Sequence, residues 1–363
     1  MKVNFLMRMH DDTPSGGRAI VYDYANFLVE RGHAVTITFL ADASYPLRKH
    51  DKLSSVDHVI KYIRGKKKQN KITWHFINKK ILIKVLFSYN PKRDRQKGEK
   101  VIAFDYGIAL HLAKFFKKFD DGLFYFIQAD EKIYYDEAVV RSAWALPIQK
   151  ITISHYLKAK IEVWNRNVIV VQNYVNFNNF FLTKKINDRK PVISILNHSA
   201  VYKNTKMGID ALKIVKRENP DLFFKVIMFG NPPAPKVKDF SIKYYQHASP
   251  NTLREKVYNK SSVFLSTSND EGWGLTAMEA MACGAALIST RNGGVLDFAK
   301  NGESALLTPV NDSRKMAEQI RRLLRDNALR NTIARNGHMA VQGFSFEKSA
   351  HKFELVLMGK LRS

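Results

Sequence analysis

The residues best suited to chemistry lie between Glu271 and Gly284, in the segment EGWGLTAMEAMACG. Gly272 and Gly274 let the backbone approach a ligand closely, and a helix starting near Leu275 would aim its unpaired N–H groups at that ligand. A diphosphate suits such a turn. Glu279 lies eight residues beyond Glu271, roughly 12 Å along a helix that rises about 1.5 Å per residue, although Glu271 itself is expected on the loop. Carboxylates that far apart cannot share a proton, but they can hold hydroxyls at opposite ends of a nucleotide diphosphate sugar. Two other readings compete. In one, Glu271 only favours a helix N-terminus electrostatically and Glu279 faces solvent. In the other, GWGLTA fits G-x-G-x-x-A with Asp297 about 20 residues on, the fingerprint of an NAD-dependent oxidoreductase. That fingerprint normally opens a fold at its first strand, whereas this one lies deep in the second half of the chain.

The elements that must position this segment alternate strand and helix. Lys2 to Met7 read as a buried strand, followed by a turn at Pro14 to Gly17, a helix over Ala19 to Arg31 ended by Gly32, and a strand over Ala34 to Leu40. Further strands are expected at Val101–Phe104, Leu123–Ile127, Lys150–Ile153 and Val168–Val171. After a polar stretch, Thr183 to Lys190, a second series runs through Val192–Leu196, Phe224–Phe229, Ser262–Leu265 and Ala285–Ser289. The alternation predicts an α/β fold of two facing doubly wound, Rossmann-like domains, 1–182 and 183–345. Ligands of such sheets bind beyond the carboxyl ends of the strands.

Composition narrows the class. A chain of 363 residues with 45% apolar content can build two cores, and its single cysteine, Cys283, rules out an intrachain disulfide and a Cys-rich metal site. No stretch approaches the roughly 20 apolar residues of a membrane span, and the N-terminal apolar run is too short for a signal peptide. A cytoplasmic protein, soluble or peripheral, is expected. The outlier is charge: +26 net, of which residues 48–100 carry half, with 17 Lys and Arg against four acidic residues. Such clustering points to a polyanionic partner.

The stretch from Tyr258 to Gly284, YNKSSVFLSTSNDEGWGLTAMEAMACG, resembles the hallmark of the retaining glycosyltransferase family 4, whose signature is two glutamates separated by seven residues. The likeness continues through TRNGGVLDFAKNGESALLTP and GFSFEKSAHKF, and Thr267, Ala286 and Asp297 depart from the family's usual proline, proline and glutamate. The resemblance implies a GT-B fold, with a C-terminal helix from about 346 to 363 packing back onto the first domain. It implies that Glu279 meets the ribose and Glu271 the donor sugar's hydroxyls. The backbone of Gly272, Trp273, Gly274 and Leu275 then completes the sugar and diphosphate site. Gly16 and Gly17 match the family's glycine pair, whose N–H groups meet the diphosphate, and a plain tight turn before a helix explains the same residues.

The family's phosphate-binding arginine is replaced by His198, and its lysine falls on Lys203, with Lys206 the competitor if the loop has slipped. Losing the arginine removes a bidentate clamp, although His198 can still donate one hydrogen bond. Gln128 stands where many relatives carry a histidine near the transferred sugar; it can bind a hydroxyl but cannot act as a general base. Asp105, Asp130 and Glu131 are further candidates in the first domain. No D-x-D triplet and no metal-ligand spacing occurs, so the expectation is sugar transfer with retention, without metal or other cofactor.

The basic region supplies a partner. Lys66 to Lys68, Lys71, Trp74, Phe76, Lys79, Lys80, Ile81, Leu82, Lys84, Leu86 and Phe87 mix cations with bulky apolar groups, which suits an anionic membrane surface. A solvated strand or helix pair explains the same residues. A glycan or lipid-linked acceptor at the inner membrane face follows from the membrane reading. The competing class, a basic nucleic-acid-binding protein on a vestigial enzyme fold, lacks any helix-turn-helix, zinc-finger or RNA-stacking signature, so no nucleic acid is expected.

Overall fold

The computed structural model describes residues 1–9, 12, 14–41, 59–60, 62–64, 72–116 and 122–361. The chain divides into two compact units, Met1–Gln172 with Glu347–Ser363, and Asn173–Phe346.

The first unit is built on parallel strands β1 (Lys2–Arg8), β2 (Ala34–Leu40), β3 (Leu82–Leu86), β4 (Glu99–Ala103), β5 (Leu123–Ile127), β6 (Gln149–Thr152) and β7 (Val168–Val170). Their order across the sheet is β3-β2-β1-β4-β5-β6-β7. Central strands are mostly apolar because helices cover both faces of such a sheet, and the buried polar Thr38 of β2 donates to Asn4 of β1 at 2.8 Å. Phe5 of β1 therefore sits between Ile37 and Ile102, all three buried. Helix α1 (Gly16–Glu30) turns Ile20, Val21, Tyr24, Ala25, Leu28 and Val29 onto the sheet, the spacing of one helical face. It begins three residues earlier than the apolar periodicity suggests, so Gly16 and Gly17 open the helix instead of closing a turn. Helices α2 (Tyr106–Ala113), α3 (Glu137–Ala145) and α4 (His155–Ile161) start at Asp105, Asp136 and Ser154, whose side chains accept from backbone amides of the first turn.

The second unit repeats the plan. Strands β8 (Val192–Asn197), β9 (Lys225–Gly230), β10 (Ile242–Gln246), β11 (Val263–Ser266), β12 (Ala286–Thr290) and β13 (Leu306–Thr308) pair in parallel in the order β10-β9-β8-β11-β12-β13. Helices α5 (Thr205–Glu218), α6 (Leu275–Ala282), α7 (Ser313–Arg325) and α8 (Asn327–Val341) pack on it. On α7, Met316, Ala317, Ile320 and Leu323 are buried against a core that includes Ile193, Ile195, Val263 and Ile288. The polar stretch 183–190 is packed structure of this unit: Thr183 N donates to Asn259 Oδ1 at 2.8 Å, and Arg189 is buried. Residues 173–182 group with the same unit, Val175 pairing with Ser345.

Three strands, β3, β10 and β13, are absent from the sequence reading. They are short or lie at sheet edges, where half-exposed residues blur the apolar signal. Of the basic stretch, Lys66 to Lys68 and Lys71 lie outside the described residues. Lys79, Lys80 and Lys84 fall on or beside edge strand β3, where Leu82, Phe76 and Phe87 are exposed. No helix among the described residues is long and apolar enough to cross a membrane.

Helix α9 (Phe346–Leu357) completes the first unit's core. The Phe353 ring stacks on Tyr24 at 4.4 Å and lies 5.5 Å from Phe126 and 6.1 Å from Phe5. Glu354, also buried, accepts from His33 Nε2 at 2.7 Å, and Ser349 Oγ lies 2.7 Å from Tyr24 Oη. Phe353→Ala should therefore destabilise the first unit by about 3–5 kcal/mol, seen as an earlier urea transition in the signal of that unit.

Candidate active site

In each sheet the chain runs first to one side and then to the other, so the carboxyl ends of two adjacent strands diverge: β1 and β4 in the first unit, β8 and β11 in the second. Such a switch point is where doubly wound sheets bind ligands. In the second unit, β8 leads through a turn, Val201–Lys203, into α5, and β11 leads through 267–274 into α6. These two loops carry the candidate residues Lys203 and Glu271.

The Lys203 ammonium lies 2.5 Å from Glu271 Oε1, and Ser268 Oγ donates to the same oxygen at 2.6 Å. Glu271 Oε2 has no hydrogen-bond partner among the described residues, which leaves it as an acceptor for a ligand hydroxyl. The loops are cross-braced. Thr267 Oγ1 donates to the Lys203 carbonyl at 2.8 Å, Asn269 N to the Tyr202 carbonyl at 2.7 Å, and Asn204 Nδ2 to Asn269 and Asn311 at 3.0 and 2.7 Å. Asn204 adopts a left-handed backbone, φ 47°, as it caps α5. Glu271 is also clamped by its main chain, donating to Asn292 O at 2.8 Å and accepting from Gly294 N at 2.9 Å. A side chain at Gly294 would place its Cβ 2.5 Å from the Trp273 backbone, so only glycine permits this approach.

Gly274 ends the loop with φ 104° and serves as N-cap of α6 without any capping side chain. The first amides of α6 are therefore left for a ligand. The Trp273 side chain belongs to the core: it is 2% exposed, donates Nε1 to Met278 Sδ at 3.3 Å and packs on Phe298 and Phe344. Only its backbone can face a ligand. The Gly272–Gly274 turn follows the fourth strand in chain order of this unit, β11, and not its first, β8, so it lacks the setting of the dinucleotide fingerprint.

The remaining second-unit candidates separate by environment. Lys206 is 86% exposed and paired with Asp210 one helical turn on. His198, at the end of β8, accepts from Ala200 N through Nδ1 at 3.0 Å, which leaves Nε2 as the protonated nitrogen of the neutral ring. Partial burial, then the charge of Lys203, lowers the His198 pKa, so the neutral ring prevails at pH 7. Glu279, half-buried on α6, accepts from Tyr258 Oη at 2.9 Å, and burial raises its pKa to about 7. Arg189 fastens the other end of α6, donating to the carbonyls of Cys283, Tyr258 and Ser261 at 2.5, 3.2 and 2.7 Å. A cation at a helix C-terminus is electrostatically favoured.

The first unit holds Gly16, Gly17 and Gln128. Gln128 Nε2 donates to the Gly17 carbonyl at 3.0 Å, bringing two of the candidates together, and its Oε1 has no partner among the described residues. At this unit's switch point Arg8 and Asp105 form a two-bond pair at 2.6 and 3.3 Å, and the guanidinium lies near the rings of Tyr106 and Tyr135. Burial alone would lower the Arg8 pKa; Asp105 outweighs it and raises it. Asp130 pairs with Lys160 at 2.8 Å. Glu131 is buried between Tyr125 Oη and Tyr106 N, and burial raises its pKa to about 8.

Sequence reasoning misses Ser268, Thr267, Asn204, Asn292 and Tyr258 as parts of the site. Only Ser268 carries a local signal, a hydroxyl three residues before a loop carboxylate. The others reach their partners across 21 to 107 residues of chain.

The two units have the GT-B fold. Sucrose-phosphate synthase from Thermosynechococcus elongatus superposes with a TM-score of 0.70 at 15% identity, covering 99% of this chain and 98% of that one. The Anabaena protein HepE in complex with UDP gives 0.70 at 14% identity, covering 99% and 100%. Residues 177–339, within the second unit, match the family described as glycosyl transferases group 1. Over 216 residues the chain is 28% identical to the capsular polysaccharide biosynthesis glycosyltransferase CapM of Staphylococcus aureus, covering 53% of this chain and 56% of that protein. Over 103 residues it is 33% identical to the N-acetyl-alpha-D-glucosaminyl L-malate synthase of Bacillus anthracis, covering 28% and 27%. The chain thus spans about half the length, or less, of these curated relatives.

Glu131 gives the site's neighbourhood a pH signature. Its folded pKa stands above that of an unfolded carboxyl, so the folded protein binds the extra proton, and stability falls as pH rises between about 4.5 and 8. Glu131→Gln keeps an acceptor for Tyr106 N but cannot ionise. Its thermal stability at pH 9 relative to pH 5 should exceed that of the wild type by an amount on the order of a few kcal/mol.

Proposed function

We infer that the protein is a retaining glycosyltransferase that moves a sugar from a nucleoside diphosphate sugar to a hydroxyl of a glycan or lipid-linked glycan, without a metal. The observation that carries this reading is the convergence of Lys203, Glu271 and the uncapped start of α6 at one switch point, in a unit that matches the group 1 transferases. HepE, of similar fold, binds UDP.

The free oxygen of Glu271 takes a hydroxyl of the donor sugar, and Glu279 takes the ribose. The Lys203 ammonium, the backbone N–H groups from Gly272 to Leu275 and Nε2–H of His198 stabilise the diphosphate. As the bond from the anomeric carbon to the phosphate oxygen breaks, negative charge grows on the leaving group, where a cation and N–H dipoles act most strongly. The acceptor oxygen bonds to the anomeric carbon on the face that the phosphate vacates, and its proton passes to a phosphate oxygen. Lys203 does in this scheme what a metal ion does elsewhere. The first unit is assigned the acceptor, with Gln128 Oε1 available to a sugar hydroxyl.

A thermal-shift screen of UDP, GDP and dTDP sugars, with NAD as the competing ligand, identifies the donor. Glu271→Ala should then abolish transfer while the unfolding profile is kept. Lys203→Ala should weaken donor binding at least about tenfold, the loss of one charge-assisted contact, whereas Lys206→Ala should change it less than about twofold. Wild-type turnover in Glu271→Ala, or the reverse ranking of the two lysines, would overturn the assignment.

The basic stretch 48–100 is assigned to an anionic membrane surface at the cytoplasmic face, on the strength of its charge and of exposed Phe76, Leu82 and Phe87 beside Lys79, Lys80 and Lys84. Flotation with phosphatidylglycerol vesicles should carry the protein at low salt and release it at high salt; no association at low salt refutes this part.

A further inference from the structure

We propose that Tyr258 is a positioning residue for nucleotide recognition: its hydroxyl holds Glu279 Oε2 and leaves Oε1 as the acceptor presented to the ribose hydroxyls. This rests on the reading that Glu279 meets the ribose, and it adds a residue from outside the Glu271–Gly284 segment to the site.

Tyr258 sits in a short turn, Tyr258–Lys260, just before β11, fully buried. A buried tyrosine hydroxyl needs a partner, and a core tyrosine with no other duty is normally satisfied by a neutral carbonyl or a water. Here the partner is a half-buried carboxylate on α6, at 2.9 Å. The ring cannot follow that carboxylate if it moves. Phe180, Phe229 and Phe264 surround it with centroids at 5.8, 5.6 and 5.8 Å, and its own carbonyl takes Arg189 Nη1 at 3.2 Å. The phenol is thus a fixed donor aimed at one oxygen of Glu279. The other oxygen has no hydrogen-bond partner among the described residues. Glu271 shows the same division, with Oε1 held by Lys203 and Ser268 and Oε2 left open.

The bond also affects charge. Burial disfavours the Glu279 carboxylate, and the hydrogen bond from Tyr258 opposes that penalty. A ribose diol donates hydrogen bonds, so the ionised acid, which only accepts, binds it better than the protonated one. The other charged or titratable groups of this neighbourhood are Cys283 at the end of α6, Arg189, Arg254, Glu255, and His338 of α8, whose Nδ1 meets the Ala282 carbonyl at 2.8 Å. The Cys283 thiol is pushed up to about 12 and the Tyr258 phenol well above its ordinary value, so neither changes charge between pH 6 and 9.

The test measures, by calorimetry on the full chain, the Kd of whichever of UDP, GDP or dTDP the wild type binds, from pH 6 to 9, for wild type and Tyr258→Phe. The ratio of the two Kd values at each pH cancels the titration of the nucleotide's own phosphate and of the histidines common to both proteins. Removing the hydroxyl should raise this ratio to about three- to tenfold at pH 6.5; at pH 9, where Glu279 is ionised in both proteins, the ratio should be smaller but still above one, because the carboxylate has lost the donor that holds its Oε2. In a Glu279→Ala background, Tyr258→Phe should change Kd by less than about twofold, because the acceptor of its hydroxyl is gone. A ratio near one at every pH overturns the proposal, as does a loss that persists in the Glu279→Ala background, since that assigns Tyr258 to packing alone. A wild type that binds none of the three nucleotides overturns instead the reading of the site on which the proposal stands.

Discussion

Lys203 and Glu271 stand 68 residues apart in the chain and 2.5 Å apart in space, and they meet because β8 and β11 are neighbours in the sheet although α5, β9 and β10 intervene in sequence. The adjacency of those strands is the constraint on which the rest of the second unit depends. Their side chains are only 18% and 14% exposed, so much of the Coulomb attraction is offset by lost hydration. Such a pair adds little to stability. What it does provide is a cation and a carboxylate kept at fixed positions, with Glu271 Oε2 unpaired among the described residues. The braces from Thr267, Asn204 and Asn269 make sense in that light, because an unbraced lysine on a surface turn would sample many rotamers.

The first unit places a cation and a carboxylate at the same topological point, Arg8 at the end of β1 and Asp105 after β4. The two pairs differ in their surroundings. Asp105 also caps α2 through Ile108 N, so its oxygens serve the fold, whereas Glu271 spends both donors on one oxygen. The same architecture thus yields a satisfied structural bridge in one unit and an incomplete one in the other. Incompleteness of hydrogen bonding distinguishes the candidate site from a stabilising contact.

Much of this was legible in the sequence. The apolar run Leu123–Ile127 and the β-branched, mostly apolar stretch Ala34–Leu40 coincide with strands β5 and β2, because a strand covered on both faces leaves a clear signature. The edge strands β3 and β10 escaped because their lysines and tyrosines mix with apolar residues, and β13 because three residues are too few to show a period. For the site, the glycines and glutamates of 271–284 are local and could be read directly. Lys203 against Lys206 could not be decided by spacing, since the choice depends on which lysine the turn points at β11. Tyr258, Thr267 and Asn292 act through contacts that only the folded sheet creates.

The placement of α9 carries a consequence for biosynthesis. The stacking of Phe353 with Tyr24, Phe126 and Phe5 belongs to the first unit, yet the ribosome makes residue 353 only after all of residues 173–346. Domains generally fold as units during synthesis, N-terminal first. Here that order is interrupted: the second unit is available to fold from a continuous stretch, while the first must wait with an uncovered aromatic patch until α9 emerges from the exit tunnel. During that interval the nascent first unit exposes apolar surface of the kind that chaperones hold.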